Sequence, residues 1–163
     1  MTTMTSMTTM LSLVLVGLAV SLSAVEGASL NKSPCEPGWE CFHNRCYKYF
    51  PFPKTWADSE VHCISLGGSL ASVHNSYANH FVTNLIKSQD STGPPTWLGG
   101  SNCQQISTWL WTDGTKWDFS FWNPGEPNNA YKKEKCLEIN YKVQGGWNDA
   151  DCASRLPFVC VKN

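Results

Sequence analysis

All eight cysteines of this 163-residue chain lie between residues 35 and 160, downstream of an apolar run at residues 11–24. No other feature narrows the possible folds as much. The apolar run has the length of a signal-peptide core and is too short for a bilayer, which takes about 20 apolar residues. Small residues follow, placing cleavage after Ala24 or Gly27. Residues 1–27 therefore read as a secretory signal, although the n-region lacks Lys and Arg and has only the amino terminus as a charge. The mature chain is expected to be secreted and extracellular. In an exported chain, an even cysteine count reads as a disulfide framework. The cysteines lack the paired C-x-x-C spacing of structural zinc. His43, His62, His74 and His80 are scattered and form no H-x-x-x-H pair.

The length suits one domain, and 42% hydrophobic residues suffice for one core. A formal net charge of −1 gives no electrostatic ground for a nucleic-acid or acidic-membrane partner. No second apolar run is long enough to span a membrane. Residues 28–34 form a short polar leader with the sequon Asn31-Lys32-Ser33, and Pro34 directly after it works against glycosylation. The leader holds no collagen repeat or heptad run that would oligomerise the domain.

From residue 35 the chain reads as α+β. Residues 35–50 suggest a hairpin, with Pro37-Gly38 as a turn signal and Cys46-Tyr47-Lys48-Tyr49-Phe50 rich in strand formers. A helix is expected over residues 55–66. Thr55 caps it, Ala57, Val61 and Ile64 give it an apolar face, and Gly67-Gly68 stops it. A second helix is expected over residues 75–87, capped by Asn75, with Ala78, Phe81, Val82 and Leu85 facing inward. Short strands follow at residues 70–73, 96–99, 109–112, 136–140, 146–148 and 158–161, broken by turns such as Asp113-Gly114. The Pro- and Gly-rich stretch between Trp117 and Tyr131 is too long for a plain turn, and long loops in compact domains tend to carry function. Phe119, Phe121 and Trp122 anchor it on one side and Cys136 on the other.

The chemistry is concentrated in residues 126–149. Glu126, Asn128, Glu134, Asn148 and Asp149 carry oxygen-bearing side chains, set beside Pro127 and two cysteines. Carboxylate and amide oxygens suit a hard cation such as calcium, bound in flexible geometry. These residues read as one Ca2+ site whose open positions accept sugar hydroxyls. Each hydroxyl would give a lone pair to the ion, donate to Glu126 or Glu134, and accept from Asn128 or Asn148. For each of the five residues taken alone, an ordinary surface or turn role is the better reading. The eight tryptophans read as core. Tyr131 and Asn129 flank the site, either as contacts for an extended glycan or as solvated loop.

These residues resemble the C-type lectin-like domain over nearly all of residues 35–163. The matches are Gly38-Trp39, Trp97-Leu98-Gly99-Gly100, Trp111-Thr112-Asp113-Gly114, Trp122-Asn123-Pro124-Gly125-Glu126-Pro127-Asn128, Trp147-Asn148-Asp149 and the closing Phe158-Val159-Cys160. The resemblance implies a double-loop fold with bridges Cys63–Cys160 and Cys136–Cys152, and Cys35–Cys46 in the long form. It implies a cis bond before Pro127, where such bonds are least costly. It also implies that the five oxygen-bearing residues bind calcium and sugar together. The E-P-N triplet implies mannose-type specificity (mannose, N-acetylglucosamine, fucose), whereas galactose-type members carry Q-P-D. Asn129 and Lys135 replace the acids that a second calcium needs, so one ion is expected. Cys41 and Cys103 have no place in the common pairing and are expected to bridge each other or to link two chains as a homo-oligomer.

The whole resembles the soluble lectins of fish, implying recognition of microbial surface glycans in innate immunity. The related type II antifreeze proteins share the cysteine at position 103 but carry a further cysteine where Asn123 stands here. Ice binding and a calcium-independent protein-binding module are therefore the alternatives on the same fold. An enzyme is not expected. Glycosidases need one carboxyl kept neutral beside the scissile bond, and two carboxylates on one calcium stay ionised. No Ser-His-Asp or Cys-His arrangement is visible in the sequence.

Overall fold

The computed structural model describes residues 35–105 and 107–163. The signal segment, the leader and the Asn31 sequon lie outside the described residues. Among the described residues, no helix is long and apolar enough to cross a membrane.

The sheet is assembled around the last strand. β8 (Leu156–Lys162) buries Phe158, Val159, Cys160 and Val161. It pairs antiparallel with β2 (Arg45–Lys54) and β3 (Ser69–Leu70), and parallel with β4 (Thr96–Ser101). The full order is β1-β2-β8-β4-β6-β7, with β1 Glu40–Phe42, β6 Glu134–Ile139 and β7 Trp147–Asp151. β5 (Leu110–Trp111) pairs with β4 on the side. β4 is buried at every position, so its two glycines leave room for neighbours. A Cβ on Gly99 would stand 2.6 Å from the Leu70 carbonyl oxygen.

The first hairpin turns at His43-Asn44, with φ of 46° and 63°, not at Pro37-Gly38 as the sequence suggested. Two consecutive left-handed residues match the twist of tight hairpins. Pro37-Gly38 makes an earlier turn, closed by Trp39 N–H donating to the Glu36 carbonyl at 3.0 Å.

Both helices start where their caps predict. Thr55 accepts from Asp58 N–H at 3.2 Å to open α1 (Trp56–Ser65). Asn75 accepts from Ala78 N–H at 2.9 Å to open α2 (Ser76–Gln89). α2 buries Ala78, Val82 and Leu85 as expected and Ile86 in addition, while Phe81, also expected to face inward, is half-buried. α1 does not bury its apolar stripe. Ala57, Val61 and Ile64 are exposed, and Ser59 and Cys63 are buried instead. The rotation is set by what the other face can bond. Cys63 is tied to Cys160 across a separation of 97 residues, a closure worth about 4–5 kcal/mol. On the same side, Trp56 donates to the Leu98 carbonyl at 2.8 Å and Glu60 accepts Leu70 N–H at 2.7 Å. Burying Val61 and Ile64 would return only about 1.5–3 kcal/mol each. Val61→Gln and Ile64→Gln should therefore shift stability by no more than about 0.5 kcal/mol each, read as urea midpoints. A loss of 2 kcal/mol would mean that the stripe is covered.

Two further disulfides, Cys35–Cys46 and Cys136–Cys152, staple the first hairpin and the β6–β7 end. Cys41 and Cys103 do not bridge each other; both are exposed free thiols. Cys103 Sγ lies 3.9 Å from Cys152 Sγ. One aromatic cluster fills the space under the long loop. Trp147, fully buried, packs its ring 5.6–5.8 Å from Trp111, Trp117, Phe119 and Trp122. Asn123 ties the loop down, donating to the Tyr141 carbonyl at 2.7 Å. Gly146 makes room for it, since a Cβ there would overlap Asn123 Oδ1.

Candidate functional site

The site is built by a strand holding a loop. The peptide bond between Glu126 and Pro127 is cis. Just after it, the backbone N–H groups of Asn128 and Asn129 donate to the two oxygens of Asp149, at 2.9 and 2.8 Å. Asp149 is fully buried on β7, so one carboxylate clamps the turn. Further on, Ala130 N–H donates to Glu134 Oε2 at 3.0 Å. Between these clamps Asn129, Tyr131 and Lys132 hold φ of 46°, 54° and 61°. Such left-handed non-glycine residues persist only where the surroundings over-determine them. Glu126, Asn128, Glu134 and Asp149 are thus drawn around one loop. Asn148, beside Asp149, is engaged with a different residue: its side chain donates to Glu138 Oε1 at 2.8 Å.

Glu138 was not singled out from the sequence. The available signal was a carboxylate at the alternating position of an otherwise apolar stretch, Cys136-Leu137-Glu138-Ile139. It faces Asn148 in register across β6 and β7. Burial pushes its carboxyl up to about 7, and the charges of Glu134, Glu126 and Asp149 add to this. Burial also raises Glu126, with the charge of Asp149 next in weight. Glu134 is likewise raised by burial, then by the charges of Asp149, Glu126 and Asp151, against the pull of Ala130 N–H.

Acids that repel one another, with acceptors left unpaired, make a place for positive charge. Glu126 Oε2 and Asn129 Oδ1 are buried without a hydrogen-bond partner. A buried carboxylate oxygen with no donor is costly. The donor set of carboxylates and amides fits calcium and not zinc. The three carboxylates are not closed on a point. Among the described residues, the His, Cys, Asp or Glu trio with donor atoms within 4.8 Å of one another is Cys103, Cys136 and Cys152. Two of those sulfurs are a disulfide, so that trio is not a metal site as it stands.

Glu138 carries a pH expectation. Its folded value, about 7, lies above the usual 4.5. Below 4.5 both states hold the proton and its stabilisation is complete. Between 4.5 and 7 the unfolded chain ionises first, and stability falls as pH rises. The loss is on the order of 3 kcal/mol. In EDTA, the urea midpoint of wild type should fall between pH 5 and 8 by more than that of Glu138→Gln. Parallel curves would remove Glu138 as the cause.

A larger cavity, about 490 Å³, lies elsewhere and includes Arg45, His74, Asp113 and Lys162 in its lining. Beside it stands an arrangement the sequence did not reveal: His74 Nε2 is 3.2 Å from Ser72 Oγ, and His74 Nδ1 is 2.8 Å from Asp118 Oδ1. By distance this is a Ser-His-Asp chain. Ser72, however, donates to Asp113 at 2.5 Å, accepts from Arg45 at 2.9 Å and is 1% exposed. Its proton is committed to Asp113 and no substrate reaches its oxygen, so it is not a nucleophile.

A family model described as the Lectin C-type domain matches residues 52–162. A lectin from Pleurodeles waltl is 41% identical over 128 residues, 77% of this chain and 74% of that one. Lactose-binding lectin l-2 from Anguilla japonica is 40% identical over 154 residues, 92% and 87% of the two chains. The solved structure of a Ca2+-dependent type II antifreeze protein, in its Ca2+-free form, superposes with a TM-score of 0.73 at 34% identity, covering 79% of this chain and all of that one.

Proposed function

The chain belongs to the Lectin C-type domain family of carbohydrate-binding, non-catalytic proteins, and from that premise we propose that it is a secreted, calcium-dependent lectin of mannose-type specificity. The observation that carries this reading is the clamped cis-proline loop. Glu126-Pro127-Asn128 is pinned to Asp149 by two backbone bonds, and Glu126 keeps a buried unpaired oxygen. Glu126, Asn128, Glu134, Asn148 and Asp149 would hold one calcium. When bound, the ion supplies coordination to two neighbouring sugar hydroxyls. The side chains do the rest: Glu126 and Glu134 accept the hydroxyl protons, and Asn128 and Asn148 donate from their amides. Asn148 has two N–H groups, so the bond to Glu138 leaves one for the sugar.

One shallow site offsets little of the cost of association, so monosaccharide binding should be weak. Linked copies of the chain, through Cys41 or Cys103 or by packing, would supply avidity on a microbial surface rich in such glycans. Innate recognition of those surfaces is the role this fits.

The test is retention on mannose-agarose in calcium, release by EDTA, and a galactose-agarose column in parallel. Mannose retention that EDTA reverses supports ion, site and sugar class together. A second reading, galactose-type binding, is favoured by the lactose-binding relative, and retention on galactose alone would replace the mannose assignment. Glu126→Gln with Asn128→Asp should weaken mannose and improve galactose. Loss on both columns with calcium still bound would favour the antifreeze-like or protein-binding alternatives.

A further inference from the structure

Three sulfurs meet near the start of β6. Cys136 and Cys152 form a disulfide, and the free Cys103 thiol lies 3.9 Å from Cys152 Sγ. All three sulfurs fall within 4.8 Å of one another. Cys152 carries no S–H, so the hydrogen in this contact belongs to Cys103. The backbone holds the thiol in place. Cys103 follows β4, whose Ser101 stands in register with Cys136 on β6. Asn102 N–H donates to the Lys135 carbonyl at 3.0 Å, and Cys103 N–H donates to Ser101 Oγ at 3.1 Å. The segment that carries the thiol is thus pinned beside the bridge.

The two bridge sulfurs differ in access. Cys136 is fully buried and Cys152 is half-buried, while Cys103 is exposed. Thiol–disulfide exchange proceeds by attack of a thiolate on one sulfur of the bridge, and access helps to decide which. The attacking sulfur approaches along the S–S axis. Cys103 stands beside that axis, since an in-line arrangement would separate it from Cys136 by more than 4.8 Å. Exposed side chains change rotamer in nanoseconds or less, so Cys103 is free to turn into line.

We propose that Cys103 is an internal nucleophile that exchanges the Cys136–Cys152 bridge for Cys103–Cys152. The Cys103 thiolate attacks Cys152 Sγ, the Cys136–Cys152 bond breaks, and its electron pair leaves on Cys136. Cys136 then takes up a proton, matching the one that Cys103 gave to solvent. One disulfide and one thiol stand on each side of the exchange, so it needs no oxidant or reductant. The core accommodates the product, because a buried thiol behaves as a small hydrophobe. The end of β7 stays stapled in both forms, first to β6 and then to the segment after β4. The change is at the surface: an exposed thiol, open to partners, becomes a buried one. This exchange is independent of the ion and the sugar proposed above.

The experiment holds the folded full chain under argon at pH 6 and at pH 8 and quenches samples in acid. Thiols are then labelled with N-ethylmaleimide in denaturant, and the bridges are mapped by peptide mass spectrometry. A Cys103–Cys152 peptide is expected, with an equal fraction of label at Cys136 and a constant number of thiols per chain. The mixture should be reached about ten-fold or more faster at pH 8, because the thiolate attacks. The rate should not depend on protein concentration. Iodoacetamide labelling of the native protein at Cys103 should fall in the same proportion. Cys103→Ser should keep the Cys136–Cys152 bridge alone and leave Cys136 unlabelled. Cys136→Ser should form Cys103–Cys152 on oxidative folding, and the wild-type map stands as the test even where that variant fails to fold. Label confined to Cys41 and Cys103 after a day at pH 8 would overturn the exchange. A Cys103–Cys136 peptide would overturn the choice of Cys152 as target. A rate that rises with protein concentration would overturn the internal step.

Discussion

Asp149→Ala abolishes EDTA-reversible sugar retention and also lowers stability in the absence of calcium, by about 2–4 kcal/mol. The double effect follows from the two jobs of one carboxylate. Its oxygens are proposed as calcium ligands, and they already accept the N–H groups of Asn128 and Asn129. Removing them strands two backbone donors, at about 1–3 kcal/mol each when buried. Urea denaturation in EDTA measures the structural part, and mannose-agarose in calcium measures the functional part. Asp149→Asn separates them. It keeps one acceptor oxygen, so it should recover part of the stability while sugar retention stays lost. Full retention by Asp149→Ala would mean that the ion sits elsewhere. Unchanged stability in EDTA would mean that the loop holds its shape without the clamp.

Trp147→Ala has the largest expected effect on folding. Trp147 is fully buried and meets Trp111, Trp117, Phe119 and Trp122. Deleting such a ring costs about 3–5 kcal/mol through lost contacts and the cavity left behind. A second cost comes from polarity. Trp147 Nε1 donates to Asn79 Oδ1 at 2.7 Å, and Asn79 in turn donates to the Gly145 carbonyl at 2.9 Å. Asn79 is 1% exposed, so its orphaned oxygen adds about 1–3 kcal/mol. The total rivals the whole stability of an ordinary domain, about 5–15 kcal/mol. The variant should be unfolded or should lose most of its urea midpoint, with oxidised cysteines leaving a compact residue of structure. Trp147→Phe should cost much less in cavity volume but keep the penalty at Asn79. Cooperative unfolding of Trp147→Ala within 1 kcal/mol of wild type would show that the cluster tolerates the gap.

What the sequence revealed follows from how local each signal is. Thr55 and Asn75 announce their helices because a cap acts within three residues. The clamped loop was readable because Glu126, Pro127 and Asn128 are contiguous. The facing of α1 was not readable. Val61 and Ile64 fit an apolar face by spacing, but Cys63 and its partner 97 residues away decide the rotation. The turn at His43-Asn44 lost to Pro37-Gly38 for a related reason: a glycine marks a turn somewhere, and only strand register says which turn closes the hairpin. Glu138 was missed because it looks ordinary alone. Its meaning comes from Asn148 across the sheet. Ser72, His74 and Asp118 show the opposite case, where distance suggests chemistry and the committed proton denies it.

The outward stripe of α1 has a practical side. Ala57, Val61 and Ile64 share no bond with the clamped loop, the aromatic cluster or the cavity at Arg45, so the helix offers an attachment plane. A cysteine-free coupling handle placed there would anchor the protein to a support or a particle without disturbing the residues proposed to meet the sugar. Density on that support then sets the spacing between neighbouring copies. A sensor made this way would tune its grip on a glycan-coated surface by how closely the molecules are printed.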